Sequence, residues 1–463
     1  MIKKGDKKII RGWVFYDWAN SVYNLVISSA VFPIFFNSFT TSRYKERMGL
    51  SEQATVRPEE VTSVFFGIEM TSSVMYSYVL SASFLIVAIL SPMLSGIADV
   101  SGNKKRFLQF FCYLGAFSCI GLFWFDKVPI ELGMTFIFLA SIGFWNSFVF
   151  YNSFLPEIAE PKDHDRISAK GFSMGYFGSM ILLIICLAII MGIGKEFTKW
   201  SFALVGIWWI GFSQITYRVL PNNVYNKKRE KGMITKGFKE LKLVFKEFRG
   251  IKTLKRFITS FFFFNTGVQT VMLMATLYAS REIFSIPEAQ KLTMSDVEIA
   301  AAEGAATTGL IVAILLIQIL GAVGAFLISR LSAKIGNVKA LLIVVLFWIP
   351  LCTYAYFIPQ GGHVQFYGLA ACVGLVMGGV QALARSTYSK FLPETEDHAS
   401  YFSFYDVTEK IGIVFGTFFF GFMEYIMDDI RASILSVVFF FVIGLILLLR
   451  VPRKFDPTLQ QAK

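Results

Sequence analysis

The stretch PNNVYNKKREKGMITKGFKELKLVFKEFRGIKTLKR, Pro221 to Arg256, holds twelve Lys or Arg against three Glu. It carries nine of the chain's net twelve positive charges, and the 220 residues before it and 207 after it are mostly apolar. Each flank divides into six runs long enough to cross a bilayer, so the stretch reads as the hinge between two halves of a polytopic membrane protein. Within it Phe238, Leu241, Phe245 and Phe248 recur at helical spacing, with Lys239, Lys242, Lys246 and Arg249 one position on. That pattern predicts a basic amphipathic helix on a membrane surface, where each cation is worth roughly 1 kcal/mol against an anionic leaflet. A solvated tether between the halves accounts for the same charges equally well. Nucleic-acid binding does not suit a segment flanked by membrane spans.

Of 463 residues, 55% are hydrophobic and 50 are Phe, which is far too apolar for a soluble protein. The spans are drawn at 13–39, 74–98, 107–125, 131–154, 171–193, 202–220, 257–280, 305–328, 340–358, 365–387, 401–425 and 432–450. The basic start MIKKGDKKIIRGW has no small-residue cleavage site after it and is taken as the lead into a retained first helix. With the N-terminus inside, 33 Lys and Arg fall in inner segments or, as Arg218, Arg385 and Arg450, at the inner ends of spans, 10 fall in outer segments, and Lys410 lies within a span. This asymmetry predicts a multi-pass protein of the cell (inner) membrane with both termini cytoplasmic. The five cysteines all fall inside spans and suggest no disulfide framework, and the three histidines show no metal-ligand spacing, so no cofactor is implied.

The run FLPEIAEPKDHDRIS (Phe154 to Ser168) recurs as FLPETEDHASYFS (Phe391 to Ser403), each between the fourth and fifth spans of its half. SGIADVSGNKK, with Gly102 and Asn103, likewise returns as SRLSAKIGNVK, with Gly336 and Asn337. Unless these short likenesses are chance, the halves are parallel repeats. The expected fold is then an all-α membrane protein of twelve transmembrane helices in two six-helix bundles around a cavity with any small-molecule site near the bilayer midplane. Expected domains are 1–220 and 257–463 for the bundles and 221–256 for the basic cytoplasmic linker with its amphipathic helix. Spans three, nine and twelve are almost free of amide or charged groups and should face lipid. Spans one, four, seven and ten carry Asn20, Asn24, Asn146, Asn152, Asn265, Gln269, Gln381 and Arg385, groups that are costly in hydrocarbon unless they line water or pair with one another. For any single Asn, helix-to-helix hydrogen bonding competes with substrate contact.

The loop Ser95 to Arg106 resembles the signature loop between helices two and three of the major facilitator superfamily, at Asp99, Gly102, Lys104 and Lys105. Ser95 stands where that pattern has its first Gly, and Val100 and Asn103 replace basic residues. More of the chain, FYDWANS (Phe15 to Ser21), Phe32 and Pro33, YNSFLPEIA, ISAKGFSMGYFGS, QALARSTYSKFLPE and SYFSFYDVTEK, resembles the branch of that superfamily typified by the fungal vacuolar amino-acid effluxers of autophagy. The resemblance implies the major facilitator fold, a secondary transporter of a small polar solute with amino acids among the candidates, and a gate role for Asp99 near the start of span eleven.

Charges inside spans cost roughly 2.5 to 3.5 kcal/mol each at a helix centre. Asp17, Asn20, Asn24 and Ser28 fall at i, i+3, i+7 and i+11, one face of an ideal helix, expected to look into the cavity. Asp406 and Lys410 are an i, i+4 pair that can neutralise itself. Glu409 has no such partner in its helix, and Arg385 is a candidate one; Asp17 and Glu409 are therefore the possible proton-coupling residues. The expected partners are a small-molecule substrate, protons and the lipid bilayer, with no nucleic acid. No Walker motif powers a pump. A transporter-like receptor or scaffold without flux, or a polytopic membrane enzyme, are the rival readings; the histidines lie in no catalytic spacing.

Overall fold

A computed structural model describes residues 4–51, 56, 60–225, 227, 232–286, 294–427 and 429–452. Lys228, Arg229 and Lys231 of the basic stretch lie outside the described residues. Eleven described helices are long and apolar enough to cross a membrane. The sixth span, Thr198–Val219, is more polar because it holds Ser201, Ser213, Gln214 and Thr216, yet its 22 residues rise about 33 Å, enough to cross a bilayer. The twelve expected crossings are thus all present as helices.

Span one runs longer than drawn, as helices Lys7–Val22 and Val31–Met48 joined by a π-helical stretch, Tyr23–Ala30. Pro33 explains the wider turns, since it lacks the N–H that Ser29 would accept and its ring crowds that carbonyl. The face drawn through Asp17, Asn20, Asn24 and Ser28 on ideal spacing therefore changes character at Tyr23: Asp17 and Asn20 are buried on regular helix, while Asn24 and Ser28 sit half-buried on the π stretch. The all-helical expectation misses one hairpin after span one, Thr62–Phe65 against Ile68–Thr71. Phe66 and Gly67 both take positive φ, the geometry of a tight two-residue turn. Hydrogen bonds from the Thr62 hydroxyl (2.6 Å) and Arg47 (2.9 Å) hold the Glu69 carboxyl below its ordinary range.

By packing, the chain forms two compact units, Met1–Phe154 with Gly178–Leu241, and Leu155–Phe177 with Lys242–Lys463. In the first, the span-six Thr216 hydroxyl donates to the carbonyl of Gly12 (2.7 Å) and Trp208 donates to the carbonyl of Trp18 (3.1 Å), fastening span six to span one. Ser83 and Ser141 join spans two and four at 2.7 Å. Phe32, Phe35, Phe36 and Phe39 surround Phe125 with ring centres 5.3 to 5.8 Å apart, mostly edge to face.

In the second unit, Ser260 of span seven donates to the carbonyl of Gly444 (2.8 Å), and Trp348 of span nine stacks on Phe441 of span twelve at 5.2 Å. Spans eight (Asp296–Ile335) and ten (His363–Phe391) cross closely. There a Cβ on Gly378 would lie 1.9 Å from the Gly321 carbonyl oxygen. Small residues at such crossings let backbones meet where lipid supplies no hydrophobic drive. Spans three, nine and twelve expose Phe110, Phe117, Leu346, Phe347, Phe439 and Ile446.

The linker forms a helix, Met233–Gly250. Its apolar side chains make two adjacent stripes, not one. Gly237, Val244 and Phe248 are buried against protein, Phe248 and Phe245 lying 5.3 and 5.6 Å from Phe404, whereas Phe238, Leu243 and Phe245 stay exposed beside Lys239, Lys242 and Lys246. The second stripe keeps enough exposed surface to meet a membrane, although Phe245 also touches Phe404.

Gly378→Ala forces spans eight and ten apart and is expected to destabilise by roughly 1 to 3 kcal/mol, as overpacking does. Gly368→Ala, with nothing within 4 Å of the added carbon, should leave the melting temperature within about a degree of the parent. Thermal unfolding of both variants in detergent checks this, and equal melting temperatures would contradict it.

Candidate functional site

Among the residues of spans one and four, Asp17 is buried and accepts a 2.7 Å hydrogen bond from the Tyr151 hydroxyl. Trp13 positions that tyrosine by stacking on its ring at 4.4 Å and donating its indole N–H to the Tyr151 carbonyl at 2.9 Å. Tyr151 was not among the sequence candidates, and only its place near Asn152 in YNSFLPEIA pointed to it. Asn20 is fully buried; its carbonyl oxygen accepts from Ser21 at 3.5 Å and its amide nitrogen has no partner among the described residues. Asn146 spends its amide on its own helix, donating to the Ile142 carbonyl at 3.1 Å, and its oxygen has no partner among the described residues. Asn152 is buried beside Tyr151.

In the second unit a charged cluster occupies spans seven and eleven. Lys410 lies 3.0 Å from Asp406 and 3.4 Å from Glu409, and Gln269 donates to Glu409 at 2.7 Å. The Asp406–Lys410 pair is as its spacing predicts. Glu409, expected to lack a partner in its helix, shares Lys410, because the lysine's long stem lets one ammonium reach two carboxylates. Asn265, one turn below Gln269 on span seven, is buried with its amide nitrogen lacking a partner among the described residues. Arg385 donates to the Ser168 hydroxyl (2.9 Å) and carbonyl (3.0 Å) and lies over the Phe172 ring at 4.2 Å. Gln381 accepts from Tyr176 at 2.9 Å and donates to the Met272 sulfur at 3.2 Å. Arg385 and the Gln381 carbonyl oxygen of span ten are therefore engaged by the start of span five, and the Gln381 amide nitrogen by span seven.

At the ends of the spans, Gly102 closes span two in a left-handed conformation, φ 66°, where a Cβ would collide with Asn223. Asp99 pairs with Lys104 at 3.1 Å, both buried, and Lys105 donates to the carbonyl of Leu220 at 2.8 Å. At the repeat offset, Ala333 stands where the first half has Asp99, so the second half lacks that carboxylate. Asp165 supplies one from the start of span five: it lies 2.6 Å from Lys390 and accepts from Asn337 (2.7 Å) and Ser332 (3.0 Å). Close by, Glu157 meets His398 at 3.3 Å. Sequence reasoning quoted both FLPE runs but missed these pairings; the signal was that each run brings an acid or a histidine to the same place in its half.

A profile of the family described as Vacuole effluxer Atg22 like matches residues 5–455. The chain belongs to the Atg22-like family. Similar to this Atg22-like protein is YxiO of Bacillus subtilis, an uncharacterised MFS-type transporter, 28% identical over 97% of this chain and 96% of its own. Autophagy-related protein 22-1 of Aspergillus fumigatus is 23% identical, covering 98% of this chain and 91% of its own. Among solved structures, the E. coli fucose:proton symporter FucP superposes with a TM-score of 0.60 at 15% identity, covering 96% of this chain and 98% of that one. A bacterial homologue of ferroportin superposes at 0.62 with 11% identity and the same coverage. The fold is that of the major facilitator superfamily, twelve helices in two repeats, and this Atg22-like protein is a membrane transporter of that type, not an enzyme.

The Asp165 cluster tells whether the start of span five is held by charge or by apolar packing alone. In the Atg22-like transporter, Asp165→Asn and Lys390→Met, singly and together, should show a coupling of roughly 0.5 to 3 kcal/mol in a double-mutant cycle followed by thermal melting. Simple additivity would mean that the 2.6 Å pair contributes nothing.

Proposed function

We propose that the protein is a secondary active transporter that exports small zwitterionic solutes, amino acids first among them, by alternating access in the cell membrane with both termini cytoplasmic. The observation that carries this reading is the cluster Gln269, Glu409, Lys410 and Asp406, where opposite charges and an amide stand together inside membrane helices. Such groups are expensive in hydrocarbon and mark substrate or ion pathways. A zwitterion needs both signs of charge and amide donors, which spans one, seven, ten and eleven supply. Family membership and the names of the fungal relatives support efflux. Asp17, Asn20, Asn24, Asn146, Asn152, Asn265, Gln269, Gln381 and Arg385 are proposed to line the solute's path, with Asp17 and Glu409 the groups whose protonation couples it to a proton gradient.

The moving bodies are proposed as residues 1–220 and 257–463, joined by the linker, with the loop of Asp99, Gly102, Lys104 and Lys105 at the gate. On that reading the contacts of residues 155–177 within the second unit must break and re-form in each cycle. These include the Ser173 hydroxyl to Ala322 carbonyl bond at 2.9 Å.

The experiment is counterflow in proteoliposomes preloaded with single amino acids, dipeptides, sugars or nucleosides. Accumulation of label is expected for amino acids and should stop when Ser173→Cys and Ala322→Cys are oxidised to a disulfide, returning on reduction. Counterflow of none of these solutes would refute the transporter reading for this substrate class, and full activity of the cross-linked protein would refute the proposed motion.

A further inference from the structure

The first turns of span one and the end of span six enclose a groove of about 370 Å³ whose lining includes Lys7, Lys8, Arg11, Phe15, Ile215 and Val219. Lys7, Arg11 and Phe15 follow one another at four-residue intervals, so each step moves about 6 Å along the helix axis and passes from charge to hydrocarbon. All three cations are exposed, Phe15 and Val219 are half-buried, and among the described residues no acidic side chain lines the groove. The nearest carboxylate in sequence, Asp6, accepts from the backbone N–H groups of Lys8 (2.7 Å) and Ile9 (3.3 Å), so it is occupied in capping the helix. The two helices are held edge to edge by the Thr216 hydroxyl on the Gly12 carbonyl, and Gly12 has no side chain to push Val219 away.

From this groove Ile207, Gly211, Ile215 and Val219 run along span six at four-residue spacing, the first three exposed. The surface thus presents cations at the level of a membrane interface and a continuous apolar track leading into the hydrocarbon layer.

We propose that this groove binds one anionic phospholipid, its phosphate held by Lys7, Lys8 and Arg11 and an acyl chain laid along Ile207 to Val219. Basic pockets at the ends of membrane helices favour such headgroups. A free phosphate would use the cations but leave the apolar track empty, and a zwitterionic lipid would bring its own ammonium against three like charges. The assignment is independent of the transport reading, because none of these residues belongs to the proposed solute path.

Native mass spectrometry of the full-length protein, titrated with phosphatidylglycerol or phosphatidylcholine of matched chains, tests the site. Wild type is expected to retain phosphatidylglycerol preferentially, each cation contributing roughly fivefold. Lys7→Gln, Lys8→Gln and Arg11→Gln together should erase the preference, and Arg11→Gln alone, which leaves two cations to keep helix and topology, should lower it roughly fivefold. Removing Lys239, Lys242 and Lys246 from the linker helix, an equal charge, should cost less of the preference than the groove triple variant does, and millimolar inorganic phosphate should not compete. The proposal is overturned if wild type shows no preference, if the groove variants retain it, if the linker variant loses it equally, or if phosphate displaces the lipid.

Discussion

A charge or amide inside hydrocarbon has no water to turn to, and this chain meets that constraint by spending many of its intramembrane polar groups on one another. Lys410 shares its ammonium between Asp406 and Glu409, Gln269 gives its amide to Glu409, and Tyr151 gives its hydroxyl to Asp17. Apolar residues at the same positions would insert at lower cost and pack as well. The groups are retained at a cost in stability, and the proposed passage of a polar solute or a proton is the chemistry that would justify that cost.

The same constraint arranges the helices that hold these groups. Spans seven and eleven come together through Phe261 stacked on Tyr405 at 4.2 Å, which sets Gln269 beside Glu409. Span one reaches span four through Trp13 and Tyr151, which sets Asp17 within reach of a hydroxyl. The π stretch after Tyr23 widens span one where its polar residues cease to be fully buried, and such stretches are frequent at functional sites.

Much of the fold was legible in the chain itself. Span positions follow from apolar length, the two halves from the repeated FLPE and Gly-Asn loops, and the Asp406–Lys410 pair from helical spacing alone. Pairings between distant segments were not legible, because one sequence carries no record of which turns meet. Thus Asp165 and Lys390, 225 residues apart, form an ion pair that only the coordinates reveal. The departure of span one from ideal spacing was foreshadowed by Pro33, whose missing N–H removes a bond four residues back, yet the position and length of the π stretch depend on tertiary packing. The linker's double apolar stripe looks like a single one in the sequence because Gly237 and Val244 are unremarkable beside the phenylalanines.

Replacing Glu409 by Gln tests the central claim most directly, because it keeps the shape and the bond to Gln269 within reach while removing the charge. Melting temperature and two modes of transport would be measured on the same preparation: amino-acid movement driven by a pH gradient, and exchange without one. The account predicts an unchanged or higher melting temperature, loss of gradient-driven transport and persistence of exchange. Normal gradient-driven transport in the variant would contradict it, as would a collapse of the fold, which would make Glu409 a structural group.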